Sequence, residues 1–349
     1  MDDDRREDQG VGLLAIDVGR GTQDILVFDP RVSIENSPKL ILPSPTVVVA
    51  RRIAEATLQR RDIVLTGHTM GGGPNVQAVA RHIRAGLSVS ATKEAALTIH
   101  DNLDRVRDRG IAIVDAPPEG AVQIDLTDYM EREIRAALDL FSIPYPRHLA
   151  MAVQDHGFSP ERSNRIVRFE LIRNALESQG WQIAALVRDP PLAPMTRMDA
   201  IARQLPGALV IDTGPAALMG ALCDPVVEVH RRDGLTLVNA GNGHTLCFTL
   251  TGDRLCGLFE HHTAALDPAH LVELIRRLQA GTITNQEILD EGGHGAAVDR
   301  PLASSFVAIT GPNRTKLLPS AYQAAPFGDM MLTGCFGLLS AWRQLRGPL

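Results

Sequence analysis

One pattern occurs twice in this chain and constrains its fold more than any other feature. Residues 13–29 read LLAIDVGRGTQDILVFD, and residues 235–250 read LTLVNAGNGHTLCFTL. Each copy has an apolar strand pattern, a polar residue, two glycines separated by one residue, and a second apolar strand pattern. Asn239 follows Asp17 by 222 residues, which is too far for a repeat array and suits two related lobes. We therefore expect two lobes that each open with a β-hairpin.

The rest of the chain alternates between strand and helix patterns, which is typical of an α/β protein. Short apolar runs predict buried strands, and longer stretches with apolar residues at helical spacing predict helices. The predicted strands beyond the first hairpin are 46–50, 63–66, 111–114, 149–153 and 208–212. The predicted helices are 52–60, one that begins at Asn75, 129–141, 160–178 and 214–222.

Composition limits the class of function. The chain has 349 residues, 44% of them hydrophobic, and a formal net charge of −6, which predicts a soluble globular protein with two cores. Its acidity and its 4% aromatic content argue against a nucleic-acid binder. No apolar run reaches the roughly 18 residues of a membrane span. Residues 1–10 are nearly all charged and predict a disordered tail rather than a signal peptide, so we expect a cytoplasmic protein.

Five segments resemble, in the same order, those of the actin-like ATPase superfamily, which includes sugar kinases, acetate kinases, heat-shock chaperones and actin. They are a phosphate-1 loop at 15–24, a connecting helix at 212–224, a phosphate-2 loop at 238–245, an adenosine segment at 306–316 and a second connecting helix at 331–342. The resemblance implies a two-lobed actin-like ATPase fold, α/β with mixed sheets, that binds ATP and Mg²⁺ between its lobes. The expected divisions are a tail at 1–10, an N-terminal lobe with helical insertions at 11–212, a connecting helix at 213–224, a C-terminal lobe at 225–330, and a second connecting helix and tail at 331–349.

Two further stretches, GHTMGGGP at 67–74 and AVQDHGF at 152–158, resemble an uncharacterised prokaryotic family labelled as a pyruvate formate-lyase activating enzyme. Activating enzymes of that kind hold an iron–sulfur cluster with closely spaced cysteines, in the pattern C-x-x-x-C-x-x-C. The four cysteines of this chain form no such run. The sequence therefore argues against radical activating chemistry and predicts reduced thiols in the core.

The first glycine loop has the residue types that a phosphate site needs. Backbone N–H groups of a tight turn can converge on an anion, and glycines let the backbone approach a phosphate closely. Asp17, at the end of the strand, is the expected Mg²⁺ ligand and a predicted catalytic residue. The residues expected to bind the cofactor are Gly19, Gly21, Thr22, Gln23, Gly241, Asn242, Gly243, His244, Thr245 and Gly311. The alternative is two ordinary hairpins whose glycines serve turn geometry alone.

The second loop departs from the superfamily at one position. Asn239 stands where many members have an aspartate. An amide ligates a cation weakly and brings no negative charge to organise Mg²⁺ and water. We therefore expect nucleotide binding to tolerate this residue better than rapid hydrolysis does.

Small residues recur in both predicted connecting helices. They would let the two helices cross closely beneath the cleft, at a hinge for lobe closure, although tight core packing alone also explains them. These residues are Ala216, Ala217, Gly220 and Ala221 in the first helix and Gly334 and Gly337 in the second.

Polar residues at other strand ends indicate further chemistry. Polar groups at the carboxyl ends of strands face the ligand crevice of open α/β sheets. Asp155 and His156 follow the predicted strand 149–153 and could act as a general base and its partner. His68 follows the predicted strand 63–66, and the glycine-rich turn after it leads to a predicted helix start, where anions bind. Together with His244 these residues could instead form a transition-metal site. A flexible connection at His68 and a capped turn at Asp155 are the plain structural alternatives.

Two other segments that contain histidine give less evidence of a functional site. His261 and His262 are adjacent, so their side chains should point in different directions and not bind one metal. The glycine-rich segment 291–296 predicts a mobile loop or linker, with a lid as the alternative.

Three functional hypotheses remain. The first is a Mg²⁺-dependent ATP-binding protein with slow ATPase activity or phosphotransfer to an unknown small acceptor. The second is a nucleotide-switched accessory protein that activates or matures a partner enzyme, which Asn239 and the lack of an acceptor-sugar motif favour. The third is a metal-dependent enzyme built on His68, Asp155, His156 and His244. We expect no nucleic-acid or membrane partner, and we expect the segment 86–147 to decide what the protein acts upon.

Overall fold

The computed structural model describes residues 10–191 and 194–349, which form an α/β protein with three sheets. Residues 1–9 of the predicted tail lie outside the described residues, and Gly10 begins the first strand. The strands are β1 (Gly10–Val18), β2 (Thr22–Phe28), β3 (Lys39–Pro43), β4 (Ile63–Gly67), β5 (Val89–Thr92), β6 (Ile111–Val114), β7 (Val122–Leu126), β8 (Pro146–Val153), β9 (Leu209–Asp212), β10 (Leu235–Ala240), β11 (His244–Thr251), β12 (Arg254–His262), β13 (Gly295–Val298), β14 (Val307–Thr310) and β15 (Tyr322–Gln323).

The helices lie between these strands and at the end of the chain. They are α1 (Pro45–Leu58), α2 (Pro74–Arg84), α3 (Lys93–Ala96), α4 (Leu103–Asp108), α5 (Glu131–Asp139), α6 (Asn164–Ser178), α7 (Thr196–Gln204), α8 (Thr213–Ala221), α9 (Pro225–Arg231), α10 (Pro268–Ala280), α11 (Asn285–Asp290), α12 (Arg314–Leu317) and α13 (Thr333–Arg346). Within the described ranges, every helix is too short or too polar to cross a bilayer.

Two of the sheets share one plan. The first sheet has the order β3-β2-β1-β8-β9, with three antiparallel strands followed by two parallel ones. The second has the order β13-β12-β11-β10-β14-β15, which repeats that plan and adds β13 at its edge. This duplication is the two-lobed actin-like ATPase fold that the sequence resemblance implies, with mixed sheets and an opening hairpin in each lobe.

The two opening hairpins also share their register. Asp17 pairs with Asp24 across the first hairpin, and Asn239 pairs with Leu246 across the second. Each pair spans the same number of residues, so both hairpins have loops of the same length in the same place. Register in a hairpin is fixed by its turn, which is why the similarity of the two glycine loops predicts the similarity of the two hairpins.

The third sheet is an insertion between β3 and β8. It is all parallel, in the order β6-β5-β4-β7, and encloses its own apolar core with α1 and α2. The predicted strand at 46–50 is wrong, because these residues belong to helix α1. The predicted helix at 52–60 is confirmed as the remainder of α1, which ends at Leu58. Pro45 occupies the first helical turn after the extended residue Ser44. Proline is favourable there, and burial of Val49 outweighs the strand preference of the valine run.

The other predicted elements are confirmed, with shifts of a few residues at their ends. The confirmed strands are β4, β6, β8 and β9, and the confirmed helices are α2, α5, α6 and α8.

Helices α8 and α13 cross between the two duplicated sheets. A Cβ atom on Gly220 would lie 1.7 Å from the Thr333 carbonyl oxygen, and one on Gly337 would lie 1.8 Å from that of Ala216. Only glycine permits backbones to approach this closely. The close crossing expected from the small residues is therefore confirmed, and it forms the floor of the cleft between the lobes.

Candidate functional site

The first glycine loop joins β1 to β2 and brings Asp17 to the cleft. The loop closes with a hydrogen bond from Gly19 N–H to the Thr22 carbonyl, 2.9 Å long. Asp17 Oδ1 accepts a hydrogen bond of 2.6 Å from the Thr213 hydroxyl at the start of α8. On its other side, a Cβ atom on Gly334 of α13 would lie 1.9 Å from Asp17 Oδ2. Both connecting helices therefore fix the position of this carboxylate.

The electrostatics of Asp17 follow from its surroundings. Removal from water raises its pKa to about 6, Asp212 adds to the rise, and the Thr213 hydrogen bond opposes it. The neighbouring Asp24 has its pKa raised to about 8, mainly by burial and then by Asp17. Clustered carboxylates with raised pKa values gain from a cation that neutralises them.

The second loop has the same closing hydrogen bond as the first. Gly241 N–H donates to the His244 carbonyl at 3.0 Å. The two loops lie against each other across the cleft, because a Cβ atom on Gly21 would be 3.4 Å from the Asn242 side-chain nitrogen. A Cβ atom on Gly243 would be 3.3 Å from Arg20 Cδ. The paired loops thus line one small space from both sides.

The predicted cofactor residues divide into two groups. Gly311, with φ +93°, closes the far end of the cleft, where a Cβ atom would lie 2.5 Å from the Ala240 carbonyl. Gly21, Gln23 and Thr245 do not line it. Gly21 lies against the Asn242 side chain, Gln23 donates to the Pro43 carbonyl, and Thr245 pairs with the Thr263 hydroxyl. The residues that do line the cleft are Gly19, Thr22, Gly241, Asn242, Gly243, His244 and Gly311, together with Asp17.

Arg20 is a cleft residue that sequence reasoning missed. It lies between the two glycines of the first loop and lines both the cleft and a second cavity beside it. The cleft has a volume of about 110 Å³ and the neighbouring cavity about 480 Å³. Small-molecule sites usually exceed about 300 Å³. A nucleotide in the cleft therefore requires the lobes to part, whereas the cavity already has room for a small molecule.

Asp155 ties its own loop to the start of α7. It is 2% exposed, and its two carboxylate oxygens accept hydrogen bonds of 2.8 Å from the backbone N–H groups of Gly157 and Met198. Burial raises its pKa, while these two hydrogen bonds lower it. Both oxygens are occupied, so the capped-turn interpretation describes this residue better than that of a general base.

The predicted metal set of His68, Asp155, His156 and His244 is brought together only in part. His68 Nδ1 lies 3.2 Å from Glu94 Oε1 in the inserted domain. His156 and His244 instead meet His294, and one ring nitrogen from each lies within 4.8 Å of the others. The segment that carries His294 precedes the edge strand β13 rather than forming a separate lid.

His262 packs beside this cluster, with its ring centroid 4.9 Å from those of His244 and His294. Burial lowers the pKa of His244 to about 3 and that of His294 to about 2, so these imidazoles are neutral. The one signal for His294 in the sequence is its position between two glycines. A Cβ atom on Gly293 would lie 2.6 Å from Ile288 Cγ2, and one on Gly295 would lie 2.4 Å from Asn285 Oδ1.

A buried ion triad of Arg168, Asp212 and Glu260 lies next to the histidines. Arg168, which is 1% exposed, donates to Glu260 at 2.9 Å and to Asp212 at 2.5 and 2.9 Å. It also donates to the Asp155 carbonyl at 2.6 Å. Gln154 donates to the second oxygen of Glu260 at 2.5 Å. The triad ties α6 to both duplicated sheets, since Asp212 ends β9 and Glu260 lies in β12.

Comparison with known proteins assigns the chain to a family. No curated protein matches the chain. A crystal structure of an exopolyphosphatase-like protein aligns with it at 12% identity and a TM-score of 0.29, covering 87% of this chain and 66% of the other, so the chain spans slightly less than two thirds of that protein. The family model described as "Putative pyruvate format-lyase activating enzyme (DUF1786)" matches residues 70–316. The chain belongs to that family, as its GHTMGGGP and AVQDHGF segments predicted.

Proposed function

We propose that the protein binds Mg-ATP in the cleft between its two glycine loops and either hydrolyses it slowly or transfers a phosphoryl group to a small acceptor. The observation that carries this proposal is the pairing of two hairpin loops with the same register and the same closing hydrogen bond. One such loop would be an ordinary turn. Two that face each other across a cleft offer N–H donors to both sides of a polyphosphate.

The residues of the cleft fit a Mg²⁺ ion as well as phosphates. Asp17 presents a carboxylate fixed from both sides, and Thr213 holds one of its oxygens. Arg20 adds a cation beside the loops for the negative charge of phosphate. In this proposal the lobes at 11–212 and 225–330 part at the α8–α13 crossing to admit the nucleotide. Positioning and charge neutralisation would supply most of the catalysis.

Asn239 favours a second candidate, a nucleotide-switched accessory protein that activates or matures a partner enzyme. The Asn239 side chain lies at the cleft with its oxygen close to Gly311, and it brings no charge. With both oxygens of Asp155 occupied, the carboxylates that could activate a nucleophile are few. Such a protein would use ATP to change the population of closed lobes rather than to make a phosphorylated product.

Thermal unfolding with and without Mg-ATP tests the proposal. Nucleotide at a hundred times its dissociation constant should stabilise the wild type by about 2.7 kcal/mol. Asp17→Asn should lose most of that gain. Asp139→Asn removes the same charge from an exposed site at the end of α5 and should keep all of it. Equal stabilisation of both variants, or none of the wild type at millimolar Mg-ATP, would refute ATP binding at this loop.

Product analysis separates the two candidates. Release of phosphate, or its transfer to a small molecule, supports the enzyme. Full stabilisation by Mg-ATP and by a non-hydrolysable analogue, with no phosphate released over hours, supports the switch.

A further inference from the structure

We infer that His156, His244 and His294 form a binding site for a zinc-class transition metal, separate from the magnesium site proposed at Asp17. The three residues come from different parts of the chain: His156 follows β8, His244 begins β11, and His294 precedes β13. One nitrogen from each lies within 4.8 Å of the others. A tetrahedral ion with bonds of about 2.0–2.1 Å needs donors about 3.4 Å apart. Metal binding would therefore draw the three nitrogens closer together by up to about 1.4 Å.

His294 is the observation that distinguishes this cluster from histidines packed by chance. Its side chain is buried, with 1% of the residue exposed, yet neither ring nitrogen has a hydrogen-bond partner among residues 10–191 and 194–349. Buried polar atoms are nearly always paired. A metal ion at the centre of the cluster satisfies one of these nitrogens. The other, Nδ1, lies 3.7 Å from Glu260 Oε1, which places a carboxylate behind it as in many metal sites.

The surroundings hold the ligands in place. Arg165 donates to the carbonyls of Gly292 and Gly293, which fixes the segment carrying His294. The buried charge of Arg168 is balanced by Asp212 and Glu260, so this guanidinium does not face the cluster unpaired.

Three histidines leave one position of a tetrahedral ion free, which is the pattern of catalytic rather than structural zinc. His156 and His244 line the cavity of about 480 Å³, whose other walls include Gly72 and Arg197. His244 also lines the phosphate cleft. The free position therefore faces the cavity, which has room for a small molecule that ligates the ion through an oxygen. The metal site itself does not rest on the proposed function.

Cobalt titration of the full-length, chelator-treated protein tests the site without nucleotide. We expect one equivalent of Co²⁺ to bind per chain and to give the visible absorption bands of a tetrahedral ion. His294→Ala and His156→Ala should each weaken binding at least 100-fold. His68→Ala is the matched control, because His68 is half-exposed and pairs with Glu94, and it should bind as the wild type does. No uptake by the wild type, or equal uptake by His294→Ala, overturns the inference.

Two further measurements keep the result interpretable. His294→Gln retains a polar side chain, and its unfolding midpoint without metal shows whether the variant is folded. Zinc should raise the midpoint of the wild type and leave that of His294→Gln unchanged. Asp17→Asn should still bind one Co²⁺. A failure of ATP binding would therefore not overturn the histidine metal site, and a failure of metal binding would not overturn ATP binding.

Discussion

Arg168→Met should destabilise the protein strongly, because it removes the cation of the buried triad and keeps the two anions. The guanidinium makes four hydrogen bonds, one to Glu260, two to Asp212 and one to the Asp155 carbonyl. Without it, Asp212 still accepts hydrogen bonds from the backbone N–H groups of Gly214 and Asp155, and Glu260 still accepts one from the Gln154 side chain. Breaking a buried ion pair in this way costs about 3–5 kcal/mol. Urea unfolding at pH 7 measures the loss.

The loss should also depend on pH. Burial raises the pKa of Asp212, but Arg168 outweighs it and holds that pKa below its usual value. A lowered pKa gives stability that is present above the unfolded pKa and is lost as the pH falls. Without the arginine, burial raises the carboxyl pKa, and protonation relieves the variant on acidification. The difference in unfolding free energy between wild type and variant should therefore narrow from pH 7 toward pH 4.

A control on the same helix sets the scale. Arg173 pairs with Glu177 at 3.8 Å, and both side chains are well exposed. Arg173→Met should cost less than about 1 kcal/mol. If the loss of unfolding free energy in Arg168→Met came within 1 kcal/mol of that in the control, or grew on acidification, the buried ion pairs of the triad would not be what stabilises the protein.

Three further predictions follow from single residues. Gly337→Ala places a Cβ atom 1.8 Å from the Ala216 carbonyl, so the crossing helices must separate. Urea unfolding should show a loss of about 1–3 kcal/mol in unfolding free energy. The control is Gly72→Ala, whose Cβ atom would lie 3.4 Å from its nearest neighbour and should change stability little. Asn239→Asp restores a carboxylate to the second loop and should raise phosphate release from Mg-ATP at least tenfold; an unchanged rate would mean that this residue does not limit hydrolysis. Burial raises the pKa of Cys223 to about 11, so its rate of reaction with Ellman's reagent should rise about tenfold per pH unit from pH 7 to pH 10; a plateau near pH 9 would contradict that shift.

The sequence by itself determined the repeated framework. The two glycine loops have the same spacing to their flanking strands, and turn length fixes hairpin register, so the two hairpins could be predicted with their polar residues at matching positions. The close crossing of α8 and α13 was also predictable, since small residues at helical spacing allow backbones to approach. These are local properties, encoded by neighbours in the chain.

Tertiary structure decided what the local pattern could not. The run at 46–50 has strand propensity, but Pro45 and burial of Val49 make it part of a helix. Asp155 follows a strand, which is a position typical of a catalytic base. Two backbone N–H groups from separate segments nevertheless occupy its oxygens. His294 lies in a glycine-rich stretch that predicts a loop, and 138 residues separate it from His156. Which histidines meet depends on how the two lobes pack, because each ring comes from a different element. The spacing of these histidines in the sequence does not predict that their rings are in contact.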